Sequence, residues 1–144
     1  MKAKLTREGS TLSRSPSLRS LEKIMKRLLD PGGCPWDRRQ THSTLLKYLR
    51  EESAEVSSAV RRRDWTNLRE ELGDVLLQVV FHSELARRAG RFSLADVIRT
   101  VNAKMVRRHP HVFRPGSKKL STSAQVLREW AKIKKTEKAG ARRK

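Results

Sequence analysis

Two acidic segments separated by a basic one decide the fold of this chain: Glu51-Glu52-Ser53-Ala54-Glu55, then Arg61-Arg62-Arg63-Asp64, then Glu70-Glu71-Leu72-Gly73-Asp74. Glu52 and Glu55 are three residues apart, and so are Glu71 and Asp74. Residues at this spacing share one face of an α-helix. If both segments are helical, each presents a pair of carboxylates, and the four carboxylates can converge on a common ligand.

Apolar residues around the two segments recur at helical spacing and predict two consecutive amphipathic helices with an inward apolar face. They are Leu45, Leu46, Leu49, Val56 and Val60 in the first segment and Leu68, Leu72, Val75, Leu76, Val79 and Val80 in the second. A carboxylate at the edge of such a face, as Asp74 is, is costly to desolvate unless it is paired, protonated or bound to a metal. Acidic residues on helices are usually solvated, but two such pairs in a strongly basic chain favour a site for Mg²⁺ or Mn²⁺.

The composition fits one domain with basic tails. The chain has 144 residues and a net charge of +19, and about two thirds of the positive excess lies in residues 1–19 and 114–144. The tails make nucleic acid or an acidic protein a candidate partner. The single cysteine, Cys34, excludes an internal disulfide. No apolar run is long enough to span a bilayer or serve as a secretory signal, so we expect a cytoplasmic protein with no membrane partner.

The order of caps and breakers predicts an all-α chain, with a helical domain over residues 17–136 between a disordered basic tail (1–16) and a basic tail (137–144). Ser17 or Ser20 caps a first helix that ends at Asp30-Pro31-Gly32-Gly33. Thr41 or Ser43 caps a second helix to about Arg63, Asp64 caps a third to about Ala89, and Ser93 begins a fourth that Pro110 ends. A last helix runs from about Ser123 to Lys135, and no strand-like alternation is present.

Cations near the end of the fourth helix give the carboxylates a chemical counterpart. Lys104, Arg107 and Arg108 lie where a helix dipole favours positive charge, so their position has a purely structural explanation too. Divalent ions held by carboxylates and facing such cations suit a polyphosphate, which predicts metal-assisted hydrolysis. No serine, cysteine or histidine has an activating partner, so water is the expected nucleophile, oriented by Glu51 or by a ligand carboxylate.

Aromatic and histidine residues leave two interpretations open. Trp36, in a glycine-rich turn, either packs against the end of the helices or closes over a base, and Trp130 is at least a hydrophobic anchor. His109 and His111 flank Pro110, which spoils a helical metal-ligand geometry, so a structural turn is expected there.

Four motifs in order resemble the MazG family of nucleoside triphosphate pyrophosphohydrolases over roughly residues 20–136. They are Gly33-Cys34-Pro35-Trp36-Asp37, Glu51-Glu52-x-x-Glu55, Glu71-Leu72-Gly73-Asp74 and Arg107-Arg108-His109-Pro110-His111-Val112-Phe113. The resemblance implies an all-α fold around a four-helix bundle, a homodimer, and hydrolysis of a nucleoside triphosphate between the α and β phosphates to monophosphate and pyrophosphate.

The resemblance also assigns roles to residues of this chain. Glu52, Glu55, Glu71 and Asp74 match the magnesium ligands of the family, and Glu51 matches the candidate for water positioning. Lys104 and Arg108 match phosphate-contacting cations, with Arg107 beside them, while Trp130 and Lys134 match a pair whose tryptophan can stack on the base. Ala54, Lys47 and Arg50 depart from the usual family residues and affect the pocket wall or the dimer surface.

Two alternatives to an enzyme remain open from the sequence. One is a catalytically weak MazG-like module that binds nucleic acid or an acidic partner through its basic tails. The other is a structural helical dimer whose carboxylates only offset the excess of Arg and Lys. The intact set of four acidic ligands favours the enzyme.

Overall fold

The computed structural model describes residues 16–141, which form six α-helices and one short 3₁₀ turn. The helices are α1 (Leu18–Leu29), α2 (His42–Arg62), α3 (Trp65–Arg88), α4 (Leu94–Arg108), α5 (Pro110–Phe113) and α6 (Ser123–Ala141), and the 3₁₀ turn is Asp37–Arg39. No strand is present in this part of the chain, so the all-α prediction is confirmed. The tail predicted over residues 1–16 lies outside the described residues except for Pro16, and so do the last three residues of the tail predicted over 137–144.

The chain divides into two compact units, and the boundary falls between Ala95 and Asp96 near the start of α4. The first unit contains α1, the 3₁₀ turn, α2 and α3. The second unit contains most of α4 together with α5 and α6. Within the described residues, no helix has the length and apolarity that a membrane crossing requires.

The predicted helix starts are confirmed by their capping hydrogen bonds. Ser17 Oγ accepts from the Ser20 N–H at 3.0 Å, and Ser20 Oγ accepts from the Ser17 N–H at 3.0 Å. Thr41 and Thr44 form the same reciprocal arrangement at the start of α2. The Asp64 carboxylate accepts from the main-chain N–H three residues on, at 3.0 Å. Each cap satisfies donors that the first turn of a helix leaves unpaired, so the local sequence alone fixes these boundaries.

The hairpin of α2 and α3 is the centre of the first unit, and α1 packs against α3. The connection is short because Arg63 adopts a left-handed conformation, with φ of 55°, directly before the capping Asp64. The buried apolar side chains come mainly from these three helices: Met25, Leu29, Leu45, Ala59, Val80, Phe81, Ala86 and Leu94. One face of the hairpin is therefore covered, and its carboxylates are presented from a rigid pair of helices.

Several residues predicted to face a core are exposed instead, and for these the prediction was wrong. Residues between 39% and 51% exposed are Leu46, Val60, Leu72, Leu76 and Val79. Apolar periodicity identifies the face that avoids water, but it does not say whether the same chain covers that face. Within the first unit, α1 contacts only part of the α2–α3 hairpin, which leaves a second apolar face open.

A buried ion-pair network near the end of α3 was not anticipated from the sequence. Glu84 is only 2% exposed, and its carboxylate accepts hydrogen bonds at 2.8 Å from both Arg87 and Arg88. Arg88 also donates to the main-chain carbonyl of Leu29 and to the Asp30 carboxylate. These arginines hold the pKa of Glu84 below its usual value although burial acts in the opposite direction. The network ties the C-terminal ends of α1 and α3 together.

The C-terminal part of the chain differs from the prediction in two details. Pro110 follows the end of α4, as expected, but it also opens the four-residue helix α5, because proline is well suited to the first turn of a helix. The last helix continues to Ala141, past the expected end near Lys135. Residues 137–141 of the predicted basic tail are therefore helical.

Candidate active site

The facing sides of α2 and α3 bring three carboxylates together. Glu52, Glu71 and Asp74 each offer an oxygen atom, and the three oxygens lie within 4.8 Å of one another. Glu52 comes from α2, while Glu71 and Asp74 come from consecutive turns of α3. The predicted convergence of the two acidic segments is thus present for three of the four residues.

The electrostatics of this group favour a bound cation. Burial, the charge of Asp74 and the hydrogen bond with Glu71 together raise the pKa of Glu52 above its ordinary value. Like charges held this close destabilise one another, and a divalent cation removes that repulsion. Oxygen donors of this kind are the ligands that Mg²⁺ and Mn²⁺ prefer. The donor set therefore fits the predicted metal.

Two other acidic residues of α2 lie outside the group. Among residues 16–141, the structure gathers only Glu52, Glu71 and Asp74 into a cluster, and Glu55 is exposed one turn further along α2. Glu51 is also exposed, and its charge contributes to the raised pKa of Glu52. The assignments of Glu55 to the metal and of Glu51 to a water molecule remain predictions.

A neighbouring amide supports one of the carboxylates. In the orientation of the Asn67 amide that satisfies its neighbours, its nitrogen donates to Glu71 Oε1 at 3.1 Å and its oxygen accepts from Arg62 at 3.1 Å. Asn67 lies one helical turn before Glu71, so the i,i+4 spacing was visible in the sequence.

Trp36 packs partly against α2, and its closure over a base remains a prediction. Its ring meets the Tyr48 ring edge-on, with centroids 5.5 Å apart, yet 49% of the residue is exposed. Lys47 Nζ lies over the Tyr48 ring, 4.6 Å from its centroid. Tyr48 precedes Glu52 by one turn of α2, so this aromatic pair adjoins the helical stripe that carries a carboxylate of the cluster.

In the second unit, the predicted base-binding Trp130 of α6 contacts His109, which follows α4, and Lys134 of its own helix. Trp130 packs against His109, with ring centroids 5.0 Å apart and planes at 82°, and Lys134 Nζ lies 5.8 Å from the Trp130 centroid. Trp130 Nε1 is buried without a hydrogen-bond partner among the described residues. His109 contacts the Met105 carbonyl at 2.6 Å, which agrees with a structural turn.

The cations of α4 occupy its last two turns. Lys104 is partly buried and lies one turn before Arg108. Arg107 and Arg108 both contact the carboxylate of Glu137 on α6, a contact that the sequence analysis missed. The second unit therefore carries a cationic group beside an aromatic ring, as phosphate and base recognition require.

Comparison with known protein families shows which family this chain belongs to. The model of the MazG nucleotide pyrophosphohydrolase domain matches residues 40–113, which include the carboxylate cluster and the cations of α4. The chain belongs to the MazG family. The resemblance noted from its four motifs is confirmed, and the MazG match spans parts of both compact units.

Curated MazG relatives agree with this assignment. The chain is 48% identical over 118 residues to the nucleoside triphosphate pyrophosphohydrolase/pyrophosphatase MazG of Thermotoga maritima, covering 82% of this chain and 44% of the relative. It is 47% identical over 117 residues to the nucleoside triphosphate pyrophosphohydrolase of Escherichia coli strain K12, covering 81% of this chain and 44% of the relative. The chain thus spans less than half the length of these two relatives.

A solved structure matches over nearly its whole length. The crystal structure of a MazG-related protein from Thermotoga maritima superimposes with a TM-score of 0.68 and 32% sequence identity. The match covers 82% of this chain and 99% of the other. The all-α MazG fold is therefore found in a protein of about this domain size.

Proposed function

We propose that this chain hydrolyses nucleoside triphosphates between the α and β phosphates, in the presence of Mg²⁺, to a nucleoside monophosphate and pyrophosphate. The observation that carries the proposal is the convergence of Glu52, Glu71 and Asp74 within 4.8 Å in a MazG-family chain. A divalent cation would relieve the repulsion among three carboxylates held this close, and a triphosphate is the substrate class that shares such a cation with carboxylates. The names of the curated relatives support the same reaction.

Each part of the proposed site has a chemical task. Glu52, Glu71 and Asp74, joined by Glu55, hold the divalent ion, which when bound neutralises phosphate oxygens and polarises phosphorus. Glu51, an exposed neighbour of Glu52 in the sequence, orients the attacking water or accepts its proton. The planar guanidinium groups of α4 bind the polyphosphate oxygens.

Cations and aromatic rings complete substrate binding in this proposal. Lys104, Arg107 and Arg108 contact the phosphates, and Lys134 adds a further positive charge beside Trp130. Trp130 stacks on the base, and Trp36, half exposed next to Tyr48, is the other tryptophan predicted to contact a base. The cellular role that fits such an enzyme is housekeeping of the nucleotide pool.

Turnover is tested by incubating the protein with a panel of nucleoside triphosphates and Mg²⁺ and resolving the products by ion-exchange chromatography. Monophosphate with pyrophosphate supports the proposal, whereas diphosphate with phosphate contradicts it. Glu52→Gln and Asp74→Asn should each lower kcat at least 100-fold while helicity by circular dichroism is unchanged. Glu70→Gln is the matched control, because Glu70 is an exposed acid of α3 outside the cluster.

We further propose a homodimer, with the open apolar face of the hairpin as its interface. Leu72, Leu76 and Val79 follow one another at helical spacing on α3, and each is at least 39% exposed. Leu46 of α2 is 44% exposed as well. Burying such side chains stabilises association by about 25 cal/mol per Å² of apolar surface. Leu76→Glu should shift the mass measured by light scattering from dimer to monomer, and an unchanged mass would reject this interface.

A further inference from the structure

The Glu137 carboxylate on α6 contacts two adjacent arginines at the end of α4. Arg107 Nε donates to Glu137 Oε1 at 2.7 Å, and Arg108 Nη2 donates to Glu137 Oε2 at 2.8 Å. A longer contact of 3.4 Å joins Arg108 Nε to Glu137 Oε1. One carboxylate therefore bridges two guanidinium groups that are neighbours in sequence.

The atoms used in this contact leave the outer donors of both arginines available. A guanidinium has five N–H donors in a fixed plane. Glu137 engages Nε of Arg107 and the Nε–Nη2 edge of Arg108. Both terminal nitrogens of Arg107 and Nη1 of Arg108 have no partner among the described residues. Two planar cations are held from one side while their other side can bind an anion.

Charge compensation and helix packing both stabilise the contact of Glu137 with the two arginines. Two adjacent arginines repel one another, and the carboxylate between them reduces that repulsion. Arg108 and Arg107 lower the pKa of Glu137 to about 2, so the carboxylate is ionised at any pH used for an assay. Trp130, two helical turns before Glu137, packs against His109 next to the arginines, so the same pair of helix segments is fixed at two points.

We propose that Glu137 is a positioning residue that orients Arg107 and Arg108 toward the polyphosphate of the substrate. This inference rests on the proposed function, and it assigns to α6 a task that the family motifs on α2, α3 and α4 do not include. Without the carboxylate, the two side chains regain rotamer freedom and move apart, and ordering them again weakens phosphate binding. In the intact protein, the two guanidinium groups and the Glu137 carboxylate together carry a net positive charge, so the group still attracts an anion.

If Glu137 competed with the substrate instead of orienting the arginines, its removal would have the opposite effect on substrate binding. If Glu137 occupied the phosphate site as a competitor, its removal would free the arginines and tighten substrate binding. Arg107 is held through Nε alone and Arg108 through its Nε–Nη2 edge, so three of their four terminal nitrogens stay free, which favours orientation over competition.

The test compares Glu137→Gln and Glu137→Asp with wild-type protein in steady-state hydrolysis of a nucleoside triphosphate with Mg²⁺. Glu137→Gln should raise KM about tenfold and change kcat less than twofold, and Glu137→Asp should recover part of the loss because it keeps the charge. Glu129→Gln is the matched control: Glu129 lies on the same helix, pairs with Lys132 at 2.9 Å and should leave KM unchanged. An unchanged or lower KM in Glu137→Gln overturns the inference.

Binding without turnover separates this inference from the proposed function. Calorimetric titration with inorganic tripolyphosphate measures the anion site directly, and Glu137→Gln should weaken that binding about tenfold. If wild-type protein binds tripolyphosphate but hydrolyses no nucleotide, the proposed reaction fails while a weaker Glu137→Gln still supports the positioning role. If the variant binds as tightly as wild-type protein, or if wild-type protein does not bind, the positioning role is rejected.

Discussion

The imidazole rings of His42 and His82 are joined by a contact of 2.7 Å between their Nδ1 atoms. The rings are stacked, with centroids 5.0 Å apart and planes at 13°. His42 is the first residue of α2 and His82 lies in the second half of α3, so the contact links one end of the hairpin across 40 residues of sequence. A hydrogen bond at this position requires one ring to donate and the other to accept.

This histidine pair should make stability depend on pH. Burial, and next the charge of His42, lower the pKa of His82 below its ordinary value of 6.5. The unfolded chain therefore binds a proton at higher pH than the folded chain, and the stability present above pH 6.5 is lost as the pH falls toward the folded pKa. We expect urea unfolding to give a lower free energy at pH 5.5 than at pH 7.5.

Variants of His42 and His82 separate the effect of burial from the effect of the His42 charge on the pKa of His82. His82→Gln should flatten the dependence between pH 7.5 and 5.5, since it removes the buried titrating group. His42→Gln should reduce the dependence without removing it, because burial of His82 remains. An identical pH slope in His82→Gln and wild-type protein would show that other groups are responsible.

Arg88 and Arg87 should differ in their importance for stability although they are neighbours. Arg88 bonds to Glu84, to two main-chain carbonyls at the end of α1 and to Asp30, whereas Arg87 bonds to Glu84 alone. Arg88→Ala should lower the free energy of unfolding by about 2–3 kcal/mol, because charge-assisted bonds are lost and carbonyls of α1 lose their donor. Arg87→Ala removes a more exposed partner but leaves Glu84 Oε2 without its donor, so it should cost about 1–2 kcal/mol, less than Arg88→Ala. Chemical denaturation measures both, and equal losses would contradict the role given to the α1 contacts.

Gly33 should tolerate no side chain. A Cβ atom there would lie 2.1 Å from the Leu28 carbonyl oxygen and 2.6 Å from that of Arg27, and both are main-chain atoms that cannot rotate away. Gly33→Ala should destabilise the protein by about 1–3 kcal/mol through overpacking. The control is Gly140→Ala, since Gly140 is helical with nothing within 4 Å of its Cβ, and this variant should be neutral or slightly stabilising. Thermal melting followed by circular dichroism compares the two.

Neutralising a carboxylate of the cluster should stabilise the metal-free protein. Burial raises the pKa of Glu52, and the charges of Asp74 and Glu71 raise it further because like charges repel. Asp74→Asn should raise the free energy of unfolding without metal by about 0.5 kcal/mol and remove the stabilisation that Mg²⁺ confers on wild-type protein. Melting curves in EDTA and in Mg²⁺ measure both effects. A variant that is less stable in EDTA would argue for a structural role of Asp74.

Local features were predictable because they depend on neighbours in sequence. Ser17, Thr41 and Asp64 cap helices through side chains that reach main-chain N–H groups three residues away. The carboxylates of α2 and α3 converge because a short connection at Arg63-Asp64 forces the two helices to run antiparallel. These relationships need no knowledge of the rest of the fold, so the all-α class and three of the four predicted carboxylates of the cluster followed from the sequence.

Tertiary structure decided which apolar faces are covered and which charges meet. Apolar spacing marked both Val80 and Leu76 as inward, yet α3 buries the first completely and leaves the second 40% exposed. The contact of Glu137 with Arg107 and Arg108 joins residues that are 29 and 30 positions apart in the sequence, and no local pattern specifies such a pairing. Sequence by itself determined helices, caps and the carboxylate cluster, because these rest on i,i+3 and i,i+4 geometry. The packing of whole helices alone decided the buried Glu84, the His42–His82 contact and the arginine pair held by α6.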